Sequence, residues 1–120
     1  MTIAVRALIF LTVVYVGLAA LIYFQQSRFI FPAPQEVYAP APGYQAVTLN
    51  TADGLALTAH WRAPEDGKPT LVHFHGNSGS LSGATSENRL FADQGYGVLV
   101  VEYRGYGGNA GSPTEQGLYH

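Results

Sequence analysis

His75, Gly76, Asn77, Ser78 and Gly79 are the residues of this sequence whose types and order best support chemistry. They follow a β-rich run directly. Small polar residues set between glycines let backbone amides come close to a ligand, and amides that converge on an acyl oxygen stabilise the negative charge that develops there. The stretch is therefore a candidate oxyanion hole, with His75, Gly76 and Asn77 as its residues and Gly76 and Gly79 leaving room for close approach.

The remaining reactive side chains carry less. The four histidines are His60, His73, His75 and His120, and no pair has convincing ligand spacing. His73 and His75 alternate on one strand face, but a βα loop explains His75 better than a metal does. Neither a metal nor a cofactor is expected. Ser78, Ser80 and Ser82 read as turn and cap residues, because Gly76-Asn77-Ser78-Gly79-Ser80 lacks the fifth-position glycine of a Gly-x-Ser-x-Gly nucleophile elbow. Glu102 and Arg104 read as a structural ion pair or a solvated edge. Gly105 to Ala110 fits Gly-x-Gly-x-x-Ala, a form of the dinucleotide fingerprint. That rival is weak, since the next helix signal starts only at Ser112, Pro113 intrudes, and no acidic residue stands about twenty positions on.

The elements that must position the loop can be read from periodicity. Tyr44 to Leu49 and Leu55 to Trp61 flank Asp53-Gly54 with alternating apolar residues, a hairpin pattern. Thr70 to His75 and Gly97 to Tyr103 are short apolar runs of the kind covered on both faces, so they are expected to be central parallel strands. Between them Ser82 to Gln94 reads as a crossover helix with Gly95 at its C′ position. Strand, helix and strand make a βαβ unit, whose loops at the C-terminal edge of the sheet are where sites form. Ser112-Pro113-Thr114-Glu115 reads as a helix start with Ser112 as N-cap.

The strand, His75-Gly76-Asn77-x-Gly79, the helix, and then Tyr103-Arg104-Gly105-Tyr106-Gly107 about thirty residues on resemble the α/β-hydrolase superfamily. The closer likeness is to its branch with an N-terminal membrane anchor followed by a Phe-Pro-rich segment. The resemblance runs from the anchor to Gly117. It implies an α/β fold in which this chain supplies the N-terminal half of the sheet, an antiparallel β-hairpin plus a βαβ unit, preceded by one transmembrane helix. It implies that the backbone amide of Asn77 helps form the oxyanion hole and that His75 orients the loop. It further implies hydrolysis of an ester, thioester or amide acyl substrate by a serine nucleophile, with aspartate and histidine partners. None of these three can be assigned in this chain, which is expected to be an inactive fragment. The alternatives are a non-catalytic membrane-anchored interaction module and, behind it, a dinucleotide-binding βαβ domain.

Composition adds an anchor. Only 12 % of the 120 residues are charged, against ~25 % in ordinary domains. The deficit lies at the start, where Ala7 to Phe24 is apolar apart from Thr12, Gly17 and the tyrosine hydroxyls. As a helix that run is roughly 27 Å long, close to the ~30 Å hydrocarbon core. It is expected to contact membrane lipid. A cleaved signal is the competing reading, but Leu18 stands where a small residue is needed and the apolar run continues past Ala20. Residues 1–26 are thus expected to be an anchor, 27–43 a Pro-rich linker and 44–120 the N-terminal part of the hydrolase domain. Arg6 with the amino terminus outweighs Arg28 by about one charge, which favours a single-pass protein with its domain on the extracytoplasmic side. A net charge of −2 with scattered Lys and Arg excludes a nucleic-acid surface. Finally, Val98 to Val101 are expected to form an open apolar edge, which would leave residues 27–120 short of a stable monomer.

Overall fold

A computed structural model describes residues 2–120 as two units, one ending at Ile30 and one running from Phe31 to His120. The first is a single helix, α1 (Ile3–Ile30), with no buried residue. The Thr12 hydroxyl donates to the Leu8 carbonyl at 2.9 Å, which satisfies it in an apolar stretch. The helix passes the expected anchor boundary at residue 26 because nothing between Gln25 and Ile30 breaks it. Pro32 does: it disfavours helical backbone at Phe31 and cannot donate an amide hydrogen. One helix of the described residues, α1, is long and apolar enough to cross a membrane.

The second unit starts from the predicted hairpin. β1 (Gln45–Asn50) pairs antiparallel with β2 (Ala56–Arg62), closing on Asn50 opposite Ala56. In the turn the Gly54 amide donates to the Thr51 carbonyl at 3.0 Å. Gly54 itself sits at φ 86°, where glycine has no steric penalty. β3 (Thr70–Phe74) and β4 (Gly97–Val101) then pair in parallel, from Thr70 opposite Gly97 to Phe74 opposite Val101.

The order across the sheet is β1-β2-β4-β3, because β2 pairs antiparallel with the other side of β4. This corrects the expectation that Val98 to Val101 would be an open edge. β4 is central, Val98 and Val100 are fully buried, and the edge strands are β1 and β3. The physical reason is composition: β4 is entirely apolar and takes the position with two neighbours, whereas β3 contains His73 and alternates between exposed and half-buried residues.

The crossover comprises two short helices, α2 (Leu81–Glu87) and α3 (Arg89–Asp93), instead of one continuous helix. Ser80, two residues before the expected start, is the N-cap, and its hydroxyl accepts from the Gly83 amide at 3.2 Å. Asn88 interrupts the helix because its side-chain amide donates both to the Ala84 carbonyl and toward the His73 ring, each at 2.8 Å. Gly95 takes the left-handed conformation at φ 84°, as expected of the residue that ends the crossover. Leu81, Ala84 and Ala92 from these helices pack on Val98 and Val100 with Tyr44 against them, and this is the core. On the opposite face Val72 and Phe74 stay exposed. The last element, α4 (Glu115–Leu118), is capped by Thr114, whose hydroxyl accepts from the Gly117 amide at 3.0 Å. The expected cap was Ser112. Pro113 lies against the Gly105 turn, where a Cβ on Gly105 would come within 2.7 Å of the proline Cδ, and the chain turns helical only after that contact.

Candidate active site

The parallel pairing of β3 with β4 brings the segments that follow them, 75–79 and 102–109, to the same edge of the sheet. In the first segment three consecutive peptide groups are each held by their carbonyl. The His75 carbonyl accepts from the Tyr103 hydroxyl at 2.7 Å. The Gly76 carbonyl accepts from the Gly79 amide at 2.8 Å and faces His75 Nδ1 at 2.8 Å. The Asn77 carbonyl accepts from the Tyr106 hydroxyl at 2.7 Å. No cis peptide bond occurs among the described residues, so each fixed carbonyl also fixes the amide of the next residue in the opposite direction. The orientations of the Gly76, Asn77 and Ser78 amides are thereby set by their neighbours' hydrogen bonds, and all three residues are exposed. Preset amides at an exposed loop are what an oxyanion site requires, since they need no reorganisation when charge develops.

His75 is the hub of the loop. It is buried, and its Nε2 lies 2.6 Å from Glu102 Oε1, a carboxylate that is itself buried. Both ring nitrogens face oxygens, so both hydrogen bonds form together when the imidazole is protonated and Glu102 is a carboxylate. Burial alone would lower the His75 pKa, but the Glu102 carboxylate and the Gly76 carbonyl outweigh it and raise the value above 6.5. The rings of Tyr103 and Tyr106 flank the imidazole at centroid distances of 4.6 and 5.9 Å. Burial pushes both phenols up, which keeps their hydroxyls protonated as donors. The two glycines of the loop differ. A Cβ on Gly79 would lie 2.9 Å from the His75 ring, whereas one on Gly76 would meet nothing within 4 Å.

Glu102 and Arg104 do not pair with each other. Arg104 is buried and binds Asp53 of the hairpin turn through two hydrogen bonds of 2.7 and 3.0 Å. The Arg104 guanidinium holds the Asp53 carboxyl well below the usual carboxylate range. The turn predicted from Asp53-Gly54 is thus tied to the segment after β4. The other histidines are placed apart from the loop chemistry. His60 is buried on β2, and burial lowers its pKa. His73 faces Asn88 through Nδ1 and Glu87 through Nε2 at 3.4 Å. His120 is exposed at the chain end. Ser80 is a cap, as read from sequence.

Gly105 to Ala110 does not open a helix, because α4 begins only at Glu115. Instead it forms a glycine turn around Glu102, and a Cβ on Gly107 would come within 2.8 Å of Glu102 Oε2. The loop lacks the helix amino terminus that a dinucleotide pyrophosphate uses. Glu102 was read from sequence as a structural ion pair or solvated edge, and Tyr103 and Tyr106 as part of the hydrolase-like motif, without a role on the His75 loop. Their signal was topological: the two segments following parallel neighbours had to meet.

A hairpin joined to a βαβ unit, with a histidine-anchored glycine loop at the C-terminal edge of the sheet, defines the first part of an α/β-hydrolase. Sequence comparison agrees, since the acetyl xylan esterase (AXE1) family model matches residues 34–119 and the chain belongs to that family. Protein bem46 of Schizosaccharomyces pombe is 34 % identical over 99 residues, covering 78 % of this chain and 32 % of its own length. Among solved structures, an α-β hydrolase from Vibrio vulnificus has TM-score 0.52 and 32 % identity, covering 65 % of this chain and 26 % of that one. The Pyrococcus furiosus esterase Pf2001 has TM-score 0.57 at 22 % identity, covering 68 % and 34 %, and supports the fold. The chain spans only 32 to 41 % of the length of the curated relatives it matches.

Proposed function

We propose that this chain carries the oxyanion loop of a serine hydrolase acting on an ester, thioester or amide, and that the nucleophile, its base and the acid are contributed by residues outside this sequence. The observation that carries the reading is the Gly76 carbonyl, held by His75 Nδ1 and the Gly79 amide so that the Asn77 amide is directed the other way. One such amide, joined by the amide of the residue after a nucleophile, makes a two-donor hole for an acyl oxygen. The family's esterase designation favours an ester as substrate. By the same reading this chain alone turns over no acyl substrate, because no Gly-x-Ser-x-Gly elbow lies in it. Fluorophosphonate labelling tests both halves. No serine of residues 1–120 is expected to react, while a polypeptide that includes any coding sequence following His120 is expected to react at a single elbow serine. Labelling of Ser78, Ser80 or Ser82 would overturn the assignment.

The membrane is proposed as the site of action. The apolar run of α1 supports insertion, with Ala7 to Phe24 in lipid and Tyr23 and Phe24 at the interface. The excess of positive charge before the apolar run, from Arg6 and the amino terminus, favours the domain on the extracytoplasmic side. Cysteine accessibility of a reporter placed after Gly67 in intact cells checks that orientation.

A further inference from the structure

Tyr106 does more than pack against His75. Its hydroxyl is the donor that fixes the Asn77 carbonyl, yet the tyrosine lies in a glycine-rich turn with Gly105, Gly107 and Gly108 all at positive φ, a backbone with little intrinsic stiffness. Something must hold that turn. Besides its own backbone hydrogen bonds, Gly105 N–H to the Ala110 carbonyl, Tyr106 N–H to the Tyr103 carbonyl and Asn109 N–H to the Tyr106 carbonyl, it is held by residues from a distant part of the sequence. The Gly107 amide donates to the Pro34 carbonyl at 2.8 Å. The Gln35 side-chain amide donates to the Gly105 carbonyl at 2.6 Å and to the Ala33 carbonyl at 2.7 Å. Tyr106 is therefore gripped on both sides by the segment that begins three residues after α1 ends. Ala33 is the non-glycine residue at positive φ among those described, at 45°, a conformation that persists only where surrounding contacts impose it. A Cβ on Gly108 would come within 3.1 Å of Val37, so the same segment also covers the turn.

We propose that Ala33–Gln35 is a strap whose function is to position the oxyanion loop, with Tyr106 as the positioning residue that transmits the hold to the Asn77 and Ser78 peptide group. The proposal rests on reading residues 75–79 as the oxyanion loop. It gives the Pro-rich segment a role in the site, beyond spacing the domain from the helix. The strap makes two hydrogen bonds to the backbone flanking Tyr106 and a backbone hydrogen bond from Ala33 to the phenol itself, and the tyrosine donates one hydrogen bond to the loop, so releasing either end should loosen the same peptide groups.

The test uses the 120-residue protein in detergent micelles, labelled for backbone NMR, with the variants Tyr106→Phe and Gln35→Ala. In the parent the order parameters of Asn77 and Ser78 are expected near the rigid value of about 0.85, falling toward about 0.6 in Tyr106→Phe. The Asn77 carbonyl carbon should shift upfield as its donor is lost. Gln35→Ala leaves the Tyr106 hydroxyl in place, and is expected to move the same carbonyl resonance in the same direction and lower the same order parameters by a smaller amount. Val98 and Val100 in β4 should be unchanged in both. Parent values at Asn77 and Ser78 in Gln35→Ala, or equal loosening of β4 and the loop, would overturn the proposal. Should Tyr106→Phe fail to fold, Gln35→Ala decides alone, since Gln35 is exposed. No step of the measurement uses hydrolysis, so an absent serine nucleophile and an absent strap give separable results.

Discussion

At the scale of single residues, the pair of His75 and Glu102 sets how the loop responds to pH. The His75 pKa is raised above 6.5 in the folded protein, so its contribution to stability is complete below that value and is lost as pH rises through the higher folded value. The urea midpoint of the parent should therefore fall between about pH 6 and about pH 9 by more than that of Glu102→Gln, in which the charge that raises His75 is gone. A parallel pH dependence in parent and variant would show that His75 does not titrate as a partner of Glu102. Removing the carboxylate side chain altogether, Glu102→Ala, strands a buried imidazole and should cost about 3–5 kcal/mol of stability in denaturant unfolding. The two glycines should separate cleanly. Gly79→Ala drives a methyl into the His75 ring and is expected to destabilise by about 1–3 kcal/mol, while Gly76→Ala should stay within about 0.5 kcal/mol of the parent. Gly76 and Gly79 were expected from sequence to leave room for a ligand's close approach; within the chain the Cβ position at Gly76 is open, and Gly79 bears the packing demand because the ring that anchors the loop lies beneath it.

Elements decide which parts of the sheet hold. With β2 on one side and β3 on the other, β4 has both rows of backbone groups paired, while β3 presents one row without a strand neighbour among the described residues. Amide exchange should accordingly be slowest in Val98 to Val101 and clearly faster in alternate residues of Thr70 to Phe74. Equal protection in the two strands would point to a further strand or a second copy on the β3 edge. The cap of α4 can be tested in the same way. Thr114→Ala removes the acceptor of the Gly117 amide and should cost about 1 kcal/mol, whereas Ser112→Ala, at the residue expected from sequence to cap, should be silent.

For the molecule as a whole, α1 and the folded unit make separate demands. Intact protein should stay in the membrane fraction through carbonate washing, with mass spectrometry finding the chain uncut before Leu21; a soluble product starting near Leu21 would assign α1 to a cleaved signal. In the folded unit the exposed Val72 and Phe74 and the β3 edge without a strand neighbour among the described residues are the features to expect of a sheet that is marginal by itself. Thermal unfolding of residues 31–120 should be shallow, and a sharp two-state melt of a monomer would show that this unit is self-sufficient.

Local pattern was enough for much of this. The hairpin followed from Asp53-Gly54 and strict alternation, the two parallel strands from short apolar runs, the helix ending from Gly95, and the candidate loop from glycines placed after a strand, because each depends on backbone sterics and periodicity within a few residues. The cap shift from Ser112 to Thr114 and the break at Asn88 were less legible, since Pro113 answers to Gly105 and Asn88 to His73 across the fold. What only the tertiary structure decided was pairing between distant residues: β4 at the centre instead of the edge, Glu102 as the partner of His75, Asp53 as the partner of Arg104, and Pro34 and Gln35 on the turn that holds Tyr106. A carboxylate or a carbonyl has the same local pattern whichever donor it will meet, and the donor is chosen by the sheet order that brings two loops to one edge.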